Sequence, residues 1–573
     1  MNLFIVGSRA GIGAEEPEQA LEALLEKLPF FPGCPVEGVA GARAAAAWVR
    51  HSRALPYAHM SGGSFALFSG RPFRWTDDDA TDGRAPADAR FFLEPADRWA
   101  DTIDGRFASV AYRGEEHALE LTTDPVGAYP LFEARANETR WFSNSAAALR
   151  ELAGDSGLRL ESVAGLVGGG WPIDGHPIWN GIERVEPGTV LRLTPDGESR
   201  CRLLPPDELA RLPGRGLDAE AAARRLTAAT AALADWPGRP NVVPVTGGHD
   251  SRMVLGAALA AGLEFEGVTG GAPDDPDVRV GKELCELAGV PHSRLPPDPH
   301  GNMWSDHRRA ARTVRLTTGG TASLADAAGF PLGPRDGRLP LWHSGQGGEI
   351  GRAYYGGGNG LDAAGVTRRL NDAFASRAPH RRELLSAAGR DAVERRIGEW
   401  VEEQLACGAA FVDLPDLFYF DRRMKTWAAP THGCVEYVRD TTSPLWSRRV
   451  VADLLAPPAD QRASAAYHRA ALPLLAPQLT GVEHAGGHAR NVASKAMREI
   501  VRRVRAHRPG VTATDPFEPI LADVREQVLA AGSHPAWEVL DRARCEALLS
   551  RPAASLDVMS RYHVWRLATL FVE

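Results

Sequence analysis

A chain of 573 residues is longer than one ordinary hydrophobic core and predicts two or three domains. Its 44% apolar and 24% charged residues are a globular composition, and a net charge of −8 with both signs interspersed gives no general pull toward nucleic acid or membrane. No apolar run reaches the roughly 18 residues of a membrane span, and the six cysteines (Cys34, Cys201, Cys285, Cys407, Cys434, Cys545) form no C-x-x-C pair, which disfavours a zinc ribbon or a disulfide framework.

The first residues, "MNLFIVGSRAG", carry no charged leader, so no secretory signal is expected and a cytoplasmic, reduced setting is. Residues 1 to about 205 read as strand-rich. "GSFALFSGRPFRW" alternates around a Gly-Arg-Pro turn, "RFASVAYRG" and "HALELTTD" are short apolar runs, and "TVLRLTPDGESRCRLLP" reads as a hairpin. Short helices are expected at Glu16–Leu28 and Ala146–Leu152. This mix predicts an α+β domain over 1–210, with sheets packed on one another or on helices.

A polar segment at about 205–215 separates this part from a second domain, 211–573. There a helix over Asp218–Leu233 leads to strand "NVVPV", a glycine loop and helix "DSRMVLGAALAAG". Strand "FEGVTG", helix "DVRVGKELCELAG" and strand "LPLWHSG" follow. Strands alternating with long helices predict a doubly wound parallel α/β sheet. After about 360 the pattern is helical, with helices expected at Ala392–Leu405, Ala493–Arg505, Ile520–Ala530 and Trp537–Leu549.

The loop "VTGGHDSR" carries the chemistry. Glycines let backbone amides approach an anion, the helix start adds unpaired N–H groups, and Ser251 adds a hydroxyl. A strand–turn–helix corner needing only small residues is the plainer reading of the same composition. It is not a Walker A loop, because none of Lys27, Lys282, Lys425 and Lys495 falls in G-x-x-x-x-G-K-[ST]. Asp250 would repel phosphate unless a divalent cation bridges them, which implies Mg²⁺.

The order Thr246, Gly247, Gly248, Asp250, Ser251 after a strand resembles the pyrophosphate loop of the N-type ATP pyrophosphatases. "WHSGQGGEIGRAYYGG" then resembles the second acidic loop of the asparagine synthetase superfamily of the class B type. There Gly347 follows Gln346, and Glu349 stands at the acidic metal position. "DGRFASVAY", "TTDPVGAYPLF", "WFSNSAAALREL", "VEPGTVLRL" and "YFDRRMKTWAAPTHGCVEYVRDTTSPLWSRRVV" resemble further landmarks in the right order. The resemblance implies an N-terminal-nucleophile-type sandwich, a synthetase domain, ATP as substrate, and Mg²⁺ on Asp250 and Glu349.

Departures from the family shape the expectation. Residue 2 is asparagine where a working glutaminase has cysteine, and the nearest cysteine is Cys34, so the first domain should be a structural relic. β-Lactam synthetase and lasso-peptide cyclases show the same pattern. Gln346 stands where asparagine synthetase has glutamate and is no base, and the tyrosine–glutamate dyad of β-lactam synthetase has no acid in "KTWAAPTHG", which leaves Glu436, His432 or Tyr437, or an amine that is already weakly basic. The family places a late lysine on the phosphates and developing oxyanion: Lys495 is the first candidate here and Lys425 the second.

Rival motifs are weaker. "LFIVGSRAGIG" imitates a short-chain dehydrogenase loop, but no lysine has tyrosine four residues before it; an edge strand and loop is the alternative. His484 and His488 have H-x-x-x-H spacing without the glutamate of a zinc motif. The basic run at 502–509 reads as a solvated helix face or a docking place for a leader peptide, and Asp277 as a helix cap. The expectation is an ATP- and Mg²⁺-dependent ligase joining a small-molecule or peptide carboxylate to a substrate amine through an acyl-adenylate, in natural-product biosynthesis. Partners would include a precursor-peptide-processing protein but no nucleic acid and no membrane. The alternatives are a lasso-peptide or lactam macrocyclase, an ammonia-dependent synthetase, and a non-catalytic nucleotide- or peptide-binding homologue.

Overall fold

The computed structural model describes residues 3–28, 30, 31, 33–49, 58–77, 82–234, 240–295, 306–326, 340–356, 360–374, 383–437, 440–485 and 515–572. Its strand-rich first part forms two antiparallel sheets. In spatial order one contains Ile182–Arg184, Phe132–Ala136, Thr139–Ser143, Leu3–Ser8, Ala44–Val49 and Val36–Ala40. The other contains Gly197–Arg202, Thr189–Thr194, Ala118–Thr123, Ile103–Arg113, Ser64–Trp75 and Ala58–Ser61, with Arg84–Pro86 also paired to Ser64–Trp75.

Period-two alternation explains how the second sheet is covered on both faces. Along Ile103–Arg113, Ala108, Val110 and Tyr112 enter the main core with Val6, Ala46 and Phe142 of the first sheet. Phe107 and Ala111 point into a smaller core with Phe92 and Trp99.

The second part is a mixed α/β layer built on a parallel sheet. Helix α1 (Ala219–Ala234) precedes β1 (Asn241–Pro244), then α2 (His249–Ala260), β2 (Phe265–Gly270), α3 (Pro276–Ala288), β3 (His292–Leu295), α4 (His307–Thr318), β4 (Leu341–His343) and β5 (Asp440–Thr442). The spatial order is β3-β2-β1-β4-β5, with all neighbours parallel. The chain steps outward from β1 to β3, then crosses back to β4. That reversal leaves a crevice between the carboxyl ends of β1 and β4, where doubly wound sheets bind ligands.

Several sequence expectations are corrected. Leu3–Ser8 is an inner strand paired on both sides, not an edge, and its antiparallel partners exclude the dehydrogenase-type βα start. The Gly-Arg-Pro triplet at 70–72 does not turn; its pairing with Ile103–Arg113 continues straight through, so long-range pairing overrides the local turn signal. β3 and β5 are additional strands, β5 lying within the region read as helical. The helix expected at Trp537–Leu549 is broken into a 3₁₀ turn (Pro535–Glu538) and a helix starting at Arg542, capped by the Asp541 carboxylate accepting from the Arg544 amide. The helix expected at Ala493–Arg505 lies outside the described residues. No helix among the described residues is long and apolar enough to cross a membrane.

Candidate functional site

The chain leaves β1 into the turn Thr246–Gly248, and α2 begins at His249 with an extended Gly248 at its N-cap and no side chain capping its first turn. Such an end presents unpaired N–H groups and the positive pole of the helix. Thr246 and Ser251 brace the turn. The Ser251 hydroxyl oxygen accepts from the Thr246 amide at 3.1 Å, and the two hydroxyls lie 2.9 Å apart. The Gly248 amide donates to Thr246 Oγ1 at 3.2 Å. The Gly247 amide donates to Asp277 Oδ1 at 3.0 Å. Asp277 is thus no cap: Asp275 occupies the N-cap of α3, and Asp277 closes one side of the glycine turn.

The second loop follows β4. The Gln346 amide donates to Ser344 Oγ at 3.1 Å, and its carbonyl accepts from Ser443 Oγ at 2.6 Å. Gly347 has φ +105°, a region that disfavours any side chain, and a Cβ there would lie 2.4 Å from the Trp446 ring. Its amide donates to Glu349 Oε2 at 3.0 Å. A Cβ on Gly348 would lie 2.3 Å from Asp250 Oδ1, so the two loops touch at this point.

Asp250 and Glu349 therefore share the crevice. Burial and the Asp250 charge push the Glu349 carboxyl up. Burial acts to raise Asp250 too, but His468 and Arg352 outweigh it and hold that carboxyl below its ordinary range. Arg352 grips Asp250 with its fork, Nε to Oδ1 at 3.0 Å and Nη2 to Oδ2 at 2.5 Å, while His468 Nε2 donates to Oδ1 at 2.9 Å. His249 lies above, its ring centroid 3.9 Å from that of His484. Burial and the neighbouring His484 and His468 press its pKa down to about 4, so it is neutral at pH 7.

Among the described residues no group of three or more His, Cys, Asp and Glu side chains is arranged to hold a metal ion. Two adjoining carboxylates do suit Mg²⁺, which takes one or two carboxylates and completes its shell with water and phosphate oxygens. Asp250 Oδ1 already accepts two hydrogen bonds and Oδ2 one. The pair thus fits Mg²⁺ arriving with phosphate, through Oδ2 and Glu349, rather than as a bare metal site.

The remaining candidates separate clearly. Lys495, His488 and the run 502–509 lie outside the described residues. Lys425 lies in a π-helix, Tyr419–Ala428, where Nζ donates to Asp421 Oδ1 at 2.7 Å and sits 4.8 Å over Phe420. Its carbonyl accepts from Arg184, so it faces the strand-rich part. Glu436 is buried and paired with Arg106, and Tyr437 is fully buried against Phe30 and Phe31; neither is available as a base. The His432 ring lies 4.9 Å from that of Trp446, tilted by 36°, and Trp446 is the ring beside Gly347.

The structure also brings in residues that motif reading missed. Arg252, buried in the first turn of α2, donates to the Val482 carbonyl at 2.6 Å and the Glu483 carbonyl at 3.3 Å. His484 Nδ1 donates to the Gly247 carbonyl at 3.1 Å, and the Ala485 amide to the same oxygen at 3.3 Å. Residues 482–485 thereby lie along the glycine turn. Arg352 stood three residues after Glu349 and was legible as a nearby cation; His468 had no local signal at all.

No protein-family model and no curated protein sequence matches the chain. Among solved structures, it is similar to glutamine phosphoribosylpyrophosphate (PRPP) amidotransferase from B. subtilis complexed with ADP and GMP, at 12% identity over 51% of this chain and 65% of that one, with a TM-score of 0.23. It is also similar to a structure described as the allosteric regulatory enzyme of purine biosynthesis, at 13% identity, 51% and 65% coverage and a TM-score of 0.24. The chain thus spans just under two thirds of each. Likenesses at these scores carry no argument about this chain's chemistry.

Proposed function

We propose that the chain is an ATP-dependent, AMP-forming carbon–nitrogen ligase that activates a carboxylate for attack by a substrate amine. The observation supporting this reading is the meeting of the glycine turn 246–248, the uncapped start of α2 and the Asp250–Glu349 pair at the reversal point of the parallel sheet. In the proposed reaction a carboxylate oxygen attacks the α-phosphorus of ATP, the bond from that phosphorus to the bridging oxygen breaks, and pyrophosphate leaves. The amine nitrogen then attacks the activated carbonyl carbon, its proton passes to a base, and AMP departs.

The amides of α2's first turn and the hydroxyls of Thr246 and Ser251 would bind the leaving pyrophosphate. When bound, Mg²⁺ would neutralise and orient the triphosphate, held by Asp250 and Glu349. Arg352 adds a permanent positive charge beside both carboxylates. Gln346 cannot take a proton and is assigned to orient the substrate by hydrogen bonding. His432 is the proposed base, Lys495 the proposed cation on the phosphates, and Lys425 the second choice. The partners are the acid and the amine; a peptide substrate closing on itself belongs to the same chemistry. The reading includes neither nucleic acid nor membrane.

A second reading, a homologue that binds nucleotide without turnover, is favoured by one observation. The Gly247 amide and the Asp250 carboxylate are both satisfied internally, by Asp277 and by Arg352. Substrate-dependent ATP–pyrophosphate exchange across a library of carboxylic acids and peptides separates the two. Exchange that needs one acid and drops at least about 100-fold in Asp250→Ala supports the ligase. Tight ATP binding with no exchange for any acid or peptide supports the second reading, and no ATP binding at all removes both.

A further inference from the structure

The geometry points to Arg352 as a resident counter-ion of Asp250 that makes divalent-cation binding in this crevice depend on nucleotide. The inference rests on the proposed reading of the two loops as a phosphate and metal site.

Arg352 is the last residue of the short 3₁₀ turn Gly348–Arg352, and the next residue, Ala353, takes a left-handed backbone with φ +45°. That sharp exit turns the chain away directly after the arginine. The guanidinium then meets the carboxylate edge-on, with both nitrogens of the fork engaged. Arg352 is 29% and Asp250 14% exposed, so water screens the pair only in part. The guanidinium keeps its charge at any physiological pH and matches a carboxylate's two oxygens. At physiological pH and ionic strength the pair holds until a competing ligand offers its donors other acceptors.

Oδ1 accepts from Arg352 Nε and from His468, and only Oδ2 keeps an unused lone pair. A cation on that lone pair would sit beside Arg352 Nη2, like charge against like charge. Arg352 can yield only if its donors find other acceptors, and phosphate oxygens are acceptors of the right geometry. Nucleotide therefore brings the metal and removes the competitor in one event. Arg352 is a positioning residue in this scheme.

The test is Mn²⁺ binding to the full chain, read from the paramagnetic resonance signal of free Mn²⁺, first without nucleotide. Arg352→Gln should bind Mn²⁺ at least about tenfold more tightly than wild type, the scale expected from removing one like charge a few ångströms away in a half-buried site. The double variant Asp250→Asn/Arg352→Gln should lose that gain. With the α,β-methylene analogue of ATP present, wild type and Arg352→Gln should converge. Equal affinities without nucleotide, or a gain that survives in the double variant, would overturn the inference. If circular dichroism shows Arg352→Gln unfolded, Arg352→Met decides, since it removes the charge and keeps an unbranched apolar stem: a gain of at least about tenfold supports the inference and none overturns it. A gain in Arg352→Gln together with no binding of the ATP analogue would leave the counter-ion role standing and remove the ligase reading.

Discussion

At Gly348 one hydrogen atom decides whether the two acidic loops can meet. A methyl group there would come within 2.3 Å of Asp250 Oδ1 and push that carboxylate out of the crevice. Gly348→Ala should therefore lower pyrophosphate exchange about 100-fold, the usual cost of misplacing a reacting group by about an ångström. Its thermal transition should stay within a few degrees of wild type, because the displaced atoms line a crevice and not the core. Parallel exchange and melting measurements check both halves. At this scale the sequence was readable where chemistry is local. Thr246, Gly247, Gly248, Asp250 and Ser251 announce a tight turn into a helix by their order alone. Arg352 and His468 could not be assigned that way, because a salt bridge or hydrogen bond between distant residues imposes no spacing on the chain.

Among the elements, α2 is the one whose first turn serves two purposes. Its outer end offers amides to the crevice, while Arg252 turns inward and ties down residues 482–485 through their carbonyls. Arg252→Ala would leave the buried Val482 carbonyl without this donor, at a cost of roughly 1–3 kcal/mol. The expected result is a lower denaturation midpoint and at least about tenfold faster amide exchange at Ala485, whose N–H bonds the Gly247 carbonyl. Unchanged exchange at Ala485 would show that this segment does not depend on α2. Length and composition located α1, α2 and α3: α3 buries one face through Val278, Gly281, Leu284 and Cys285, whereas Ser251–Ala258 of α2 are buried all round. They missed β3, whose residues His292–Leu295 are mostly exposed and carry no strand pattern, and β5, whose three residues are too short for any period to register. The break before Arg542 was equally hidden: the helix-favouring run continues past it, and only the Asp541 cap marks the restart.

Across the whole molecule, the strand-rich part grips the parallel part through buried polar contacts. Arg106 pairs with Glu436 and donates to the Ala128 carbonyl at 2.8 Å. Asp104 accepts from the Ser447 hydroxyl and the Arg448 amide, at 2.5 Å and 2.8 Å. Truncating one partner of a buried pair leaves the other charge uncompensated, so Glu436→Ala should cost about 3–5 kcal/mol in denaturant unfolding. Pyrophosphate exchange per folded molecule should stay within about threefold of wild type, because Glu436 serves this contact and not proton transfer. A large loss of exchange without loss of stability would return Glu436 to the crevice.

What the sequence determined by itself is the local chemistry: a strand-rich half, an alternating half, a glycine turn that starts a helix, and two acids placed after strands. Backbone sterics and side-chain period act over a few residues, so a few residues suffice to reveal them. The tertiary structure alone decided that Asp250 and Glu349 share a crevice, because the strand order β3-β2-β1-β4-β5 sets β1 and β4 side by side although about a hundred residues separate their loops. It also decided which charges occupy that crevice. Arg352 and His468 take the free edges of Asp250, and Asp277 takes the Gly247 amide. Such pairings are settled by which side chains packing brings within hydrogen-bond reach, a property that no stretch of the chain carries alone.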